Sequence, residues 1–166
     1  MITTIQDLLI DQIRDLYDAE NRILAALPKM AAAAYNEDLK AAFNEHLDQT
    51  KDHIDRLAQA SQILGIAPEG ETCAATQGLI KEGEDLISKL SDPQVGDAAL
   101  IAAAQRIEHY EIASYGSAAT FAKCADEERV AELLGMTLSE EKDADHKLQK
   151  IATGGIFSSG LNKKAS

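Results

Sequence analysis

The sequence predicts an all-α protein: four long helices in a bundle, with an additional crossover helix between the second and the third. Three observations predict it. Apolar residues recur at three- and four-residue spacing over long stretches. The composition is rich in alanine, with 3 Pro, 4% aromatic residues and no Trp, which favours close helix packing over a sheet sandwich. Gly, Pro and Asp clusters punctuate the chain only between those stretches. With 166 residues, 45% of them hydrophobic and 27% charged, the chain can fill one core, so one domain is expected.

The first helix is expected from about Thr4, a plausible N-cap, to the Ala31–Ala34 run, with Pro28 kinking or tightening it. A turn near Tyr35–Asp38 leads to the second helix, which runs to Leu64 and stops at Gly65. Ile66 to Gly70 reads as a loop. Between Glu71 and Leu90 lies a shorter amphipathic stretch carrying Leu79, Ile80, Leu86, Ile87 and Leu90, ended by Ser91-Asp92-Pro93. This is the crossover, and its length lets the third helix run parallel to the second. The third helix spans roughly Val95 to Lys123, the turn Cys124–Glu127 reverses the chain, and the fourth runs to about Ala152. The bundle is therefore placed at residues 1–153. Residues 154–166, opening on Gly154-Gly155 and small and polar beyond, are expected as a flexible tail.

Each of the four long helices breaks its own apolar stripe with a carboxylate or a histidine. On the first, Ile5, Leu9, Ile13, Leu16, Ile23, Leu24 and Leu27 follow helical spacing, and Glu20 falls on the same stripe. On the second, the seam Leu39, Phe43, His46, Thr50, His53, Leu57, Ala60 and Leu64 carries two histidines, with Gln49 on its border. On the third, Ile101, Ala104, Glu108, Glu111, Tyr115, Ala118 and Ala122 set two glutamates one turn apart. On the fourth, Leu134, Leu138, Glu141, Asp145, Leu148 and Ala152 do the same with a glutamate and an aspartate.

An isolated ionised carboxylate inside an apolar core costs several kcal/mol, so buried carboxylates pair or bind metal. Several at one level of a bundle repel one another, and a pair of divalent cations supplies the missing positive charge. An oxygen-rich set with one or two imidazoles suits iron or manganese. In ferritin-like bundles the ligands are one Glu on each of two helices and Glu-x-x-His on the other two. The expected metal ligands are Glu20, His53, Glu108, Glu111, Glu141 and Asp145, around two divalent ions. His46 lies two turns from His53, roughly 10 Å along the axis, and is read as structural. Tyr110 and Tyr115 are candidate donors to ligating carboxylates.

The formal charge of −12 argues against a nucleic-acid backbone as partner, because phosphate binding requires clustered Lys and Arg. No signal segment and no run of ~18 apolar residues is present, so no membrane association is expected and the cytoplasm is the expected compartment. Cys73 and Cys124 are too few and too far apart for a disulfide framework or a zinc site. No nucleophile elbow, oxyanion turn or phosphate-cradling glycine motif appears.

Leu16-Tyr17-Asp18-Ala19-Glu20-Asn21-Arg22-Ile23-Leu24, His46-Leu47-Asp48-Gln49-Thr50 through His53, Ile107-Glu108-His109-Tyr110-Glu111 with Tyr115, and Glu140-Glu141-Lys142-Asp143-Ala144-Asp145 together carry a resemblance. Over roughly residues 3 to 152 the chain resembles the YciF-like family of the ferritin-like superfamily, bacterial stress-associated proteins with two long helix pairs and a helical crossover. The resemblance implies a dinuclear centre for oxygen or peroxide chemistry and a homodimer. The Glu108-x-x-Glu111 pair is similar to the third-helix pair of rubrerythrin-like proteins. Glu-x-x-His is imperfect twice: Thr50 stands three before His53, and Ala144 three after Glu141, where Asp145 could stand in.

Two readings follow. The first is a homodimeric ferritin-like stress protein with a di-iron or di-manganese centre that oxidises metal with dioxygen or peroxide. The second is a metal-free interaction module in which the same side chains form a buried polar network.

Overall fold

The computed structural model describes residues 1–155 and 158–165. Its helices are α1 (Ile5–Ala33), α2 (Glu37–Ile63), α3 (Ala74–Ile87), α4 (Pro93–Cys124), α5 (Glu128–Thr153) and α6 (Leu161–Lys164). The four long helices α1, α2, α4 and α5 form the bundle, and α3 is the crossover. This is the all-α architecture with an additional helix that the sequence predicts.

Local chemistry sets the boundaries. Thr4 caps α1 in a capping box: its hydroxyl accepts from the Asp7 N–H, and the Asp7 carboxylate accepts from the Thr4 N–H. Pro28 lies inside α1, and the helix continues to Ala33. Asn36 caps α2 by accepting from the Leu39 N–H. Gly65, at φ +67°, ends α2 in the left-handed region that glycine adopts without strain. Asp92 caps α4 and Pro93 occupies its first turn, two residues before the expected start. One buried carboxylate fixes the first turn: Asp97 of α4 accepts from the N–H groups of Tyr35 (2.7 Å) and Asn36 (2.9 Å). The α1–α2 connection is thereby tied to the start of α4.

The apolar core divides into two clusters, and their membership gives the helix directions. One joins Leu9, Ile13 and Leu16 of α1, Leu57 and Ala60 of α2, Tyr115 to Ala122 of α4 and Val130 to Leu134 of α5. The other joins Ile23 to Ala31, Leu39 and Phe43, Leu100 to Ile107, and Leu148 and Ala152. So α1 runs antiparallel to both α2 and α4, α5 runs antiparallel to α2 and α4, and α2 and α4 are parallel. The crossover α3 makes that parallel pair feasible and packs on α4, where a Cβ on Gly83 would come within 3.2 Å of the Ala103 Cβ. Between the two clusters, at mid-height, every long helix presents polar residues.

The segment expected as a flexible tail has structure in its described part. Gly154–Gly155 pairs antiparallel with Ser158–Ser159, and Leu161 of α6 is buried in the second cluster. Residues 156, 157 and 166 of that expected tail lie outside the described residues. Among the described residues, no helix is long and apolar enough to cross a membrane.

Candidate metal centre

The gap between the apolar clusters is filled from all four long helices. Glu20 comes from α1, His46, Thr50 and His53 from α2, Glu108 and Glu111 from α4, and Glu141 from α5, and all are buried. Their donor atoms form two groups, Glu20 with His53 and Glu141, and His46 with Glu108, Glu111 and Glu141. Within each group the candidate ligand atoms lie within 4.8 Å of one another. Opposite ligands of an ion with bonds of about 2.1 Å stand about 4.2 Å apart, so each group is sized for one ion.

Glu141 belongs to both groups and faces them with different oxygens. His53 Nδ1 is 2.9 Å from Glu141 Oε1 and 3.2 Å from Glu20 Oε1. His46 Nε2 is 3.8 Å from Glu141 Oε2 and 3.5 Å from Glu108 Oε1. Glu141 is therefore available to both groups at once, one oxygen facing each histidine.

Several of these atoms have no hydrogen-bond partner. Glu20 Oε2, His46 Nε2, His53 Nδ1, Glu108 Oε2 and both carboxylate oxygens of Glu111 and of Glu141 are buried with no hydrogen bond. The short contacts of His53 Nδ1 are close but not aligned for one. A buried polar group without a partner costs about 1–3 kcal/mol and an uncompensated charge more, so such a concentration calls for a ligand. Oxygen and imidazole donors fit a divalent transition metal.

Outer contacts fix how the donors point. His53 Nε2 lies 2.9 Å from Glu140 Oε2, which accepts its proton and turns Nδ1 to the cluster. Glu140 is itself held by a two-pronged pair with Arg56 (2.6 and 2.8 Å), and Arg56 also donates to Thr137 Oγ1. Tyr115 donates to Glu20 Oε1 at 2.6 Å. His46 has a weaker hold: its Nδ1 lies 3.4 Å from Gln49 Oε1. Thr50, where Glu-x-x-His would carry its glutamate, donates back to the His46 carbonyl.

The electrostatics register the crowding. Burial, then the charge of Glu141, pushes the Glu108 and Glu111 carboxyls well above their usual range. Burial and then Glu20 push the Tyr115 phenol up, keeping it a donor. Burial disfavours charge on His53, but the Glu141 and Glu20 carboxylates outweigh it and raise its pKa to about 10. Glu141 is held below the usual range, with His53 and then His46 overcoming its burial. The His53 imidazolium is the local counter-charge to Glu141 and Glu20.

Of the residues expected at the site, the structure brings Glu20, His53, Glu108, Glu111 and Glu141 together. Asp145 stands apart: partly exposed, it accepts from Gln105 Nε2 at 2.9 Å and faces His109 at 3.4 Å. His46, read as structural from its axial separation, joins the cluster. The separation applies to backbone, whereas the two imidazoles lean together, with ring centroids 6.1 Å apart, and a two-ion centre needs ligands spread along the axis. The other omission is Glu140 with Arg56. Its only sequence signal is that Arg56 follows His53 by one turn while Glu140 precedes Glu141.

Comparison with known proteins agrees with this architecture. Residues 4–161 match a family described as a domain of unknown function, DUF892. The chain is 42% identical to protein YciF of Escherichia coli strain K12 over 161 residues, covering 96% of this chain and 97% of that one. The solved structure of the E. coli stress protein YciF superposes with a TM-score of 0.86 at 43% identity, covering 90% of this chain and 94% of that one. YcfI from Rhodopseudomonas palustris superposes with a TM-score of 0.89 at 42% identity, covering 91% and 96% respectively. A family match across nearly the whole chain and a full-length relative at this identity lead to one conclusion: the chain belongs to the YciF-like DUF892 family.

Proposed function

We propose that this chain is a stress-associated protein that holds two divalent metal ions, iron or manganese, at the middle of its bundle. Glu20, His53 and Glu141 would hold one ion, and His46, Glu108, Glu111 and Glu141 the other. The observation that carries this reading is the set of buried, unpartnered carboxylate and imidazole atoms drawn from four helices to one level. The stress association rests on the likeness to E. coli YciF, described as a stress protein. When bound, the ions would supply the electrons for reducing dioxygen or peroxide. The chain's own part is to orient and to keep dry: Glu140 and Arg56 hold His53 in one tautomer, Tyr115 steadies Glu20, and the two apolar clusters exclude bulk water. We further propose a homodimer, which native mass measurement tests directly.

Metal content by mass spectrometry after anaerobic loading with ferrous or manganous ion and desalting tests the centre. The native chain should retain about two ions, as ferritin-like bundles do, and a Glu20→Ala/Glu108→Ala variant should retain none. A metal-free module is the alternative, favoured by the continuous polar chain Arg56–Glu140–His53 and by the Tyr115–Glu20 bond. Negligible metal in both proteins, with the variant altered only in stability, would establish it.

A further inference from the structure

The crossover helix closes on one neighbour and stands off the other. At Gly83, α3 comes so near α4 that an added Cβ would meet the Ala103 Cβ at 3.2 Å. Against α1 it leaves a partly open cavity of about 260 Å³, and none of the proposed metal ligands lines it. Met30, Ile80, Ile87 and Ile107 make its walls, and Ala26 and Gly83 are small residues that leave it room. Met30, Ile80 and Ile87 pack on the second apolar cluster yet are only half-buried, so apolar surface stays uncovered along the cavity.

Charge is spread unevenly around the mouth. Lys29 of α1 reaches Glu84 of α3 at 3.4 Å, long against the roughly 2.7–2.9 Å of a tight charge-assisted bond, and the two side chains are 74% and 55% exposed. The groove that continues from the cavity past Lys29 and Glu84 adds Arg22 and Lys81. Asp18 and Asp85 hold those two within their own helices, at 2.5 and 2.7 Å. On a chain of net charge −12 the mouth thus gathers Arg22, Lys29 and Lys81, and Lys29 is the one whose partner is loosely held.

We infer that this cavity binds a free medium-chain carboxylate, its aliphatic chain seated between α1, α3 and α4 and its carboxylate on Lys29. The inference stands apart from the metal reading. At about 30 Å³ for a water-sized group, the cavity holds about eight methylene-sized carbons. The apolar lining selects the chain, because a polar group placed inside would lose its water without gaining a partner. The Ser88 hydroxyl at the edge already donates to the Asp85 carbonyl. The mouth selects the head group. An ammonium would face Lys29, Arg22 and Lys81, and an uncharged head gains nothing from them. A carboxylate takes Lys29 from Glu84, which returns to water at little cost because an exposed pair is worth little.

Isothermal titration of octanoate into the full chain tests this. The native chain should take up a single octanoate. Hexanoate, two methylenes shorter, should bind about tenfold more weakly, and 1-octanol and octylammonium about fivefold more weakly. Ala26→Leu fills the cavity and should abolish saturable binding. Lys29→Ala, at an exposed position, should weaken octanoate about fivefold, whereas Glu84→Gln frees Lys29 and should tighten it. No saturable uptake by the native chain, unchanged affinity in Ala26→Leu, or octanol or octylammonium bound as tightly as octanoate each overturns the inference. Should Ala26→Leu not fold, an unchanged octanoate affinity in Lys29→Ala does so. Metal content measured on the same proteins should not change, so failure of this site and failure of the metal centre are read separately.

Discussion

His53 and His46 sit seven residues apart on one seam of α2 and both turn a nitrogen toward Glu141, yet the protein treats them differently. His53 is wholly buried, and its outer nitrogen is gripped by Glu140, itself clamped by Arg56. His46 has one long contact to Gln49 and borders a pocket open to solvent. The difference teaches that two imidazoles on one seam, facing the same carboxylate, can be held and shielded unequally.

The largest effect should come from the residue that the halves share. Glu141→Ala removes the Oε1 that faces His53 and the Oε2 that faces His46. Metal content should fall from about two ions per chain to near none, whereas Glu20→Ala and Glu108→Ala should each cost mainly one. If Glu141→Ala still retains a full ion, the bridge is wrong and the halves are independent.

The next test exchanges the histidine between helices. His46→Ala should lose the ion of its half, leaving about one per chain. Adding Ala144→His places an imidazole in the same pocket, one turn after Glu141, and should restore the second ion. Restoration would mean that the helix-two histidine occupies the role that Glu-x-x-His assigns to the missing histidine of α5. Failure, with the fold intact by circular dichroism, would show that direction of approach matters as well as donor type.

A smaller effect should follow from loosening the grip on His53. Glu140→Gln keeps the shape but loses the charge that accepts the His53 proton and pairs with Arg56. Orienting partners of this kind are worth about 10–100-fold in metal affinity. Competition with a fluorescent chelator should show that loss for one ion and leave the other at native affinity. A loss shared by both ions would mean that the halves respond as one unit.

The bundle was legible because four long stripes, the Thr4 cap and the Gly65 and Pro93 breaks all state the same period and the same ends. The site was legible wherever a carboxylate interrupted a stripe, as at Glu20, Glu108, Glu111 and Glu141. What could not be read was the reach of side chains across helices. His46 was set aside by an axial distance that its ring shortens, and Glu140 faces a partner 87 residues away. The packing of Leu161 into the second cluster was equally hidden, since one apolar residue among polar neighbours carries no periodicity.

Asp145 marks the smallest expected effect and the sharpest boundary of the centre. It lies four residues after Glu141 on the same helix, which makes it a natural substitute for the absent histidine in the sequence. The extra 40° that four residues add to one helical turn carries it to the rim, where Gln105 and His109 meet it. Its carboxylate therefore turns away from the cluster, already accepts from Gln105, and is partly exposed. Asp145→Asn should leave both ions bound and change stability by no more than about 0.5 kcal/mol, the usual range for a surface substitution. Metal analysis alongside thermal unfolding checks this. Loss of one ion in Asp145→Asn would mean that the His46 half rearranges on loading to recruit a second acid from α5.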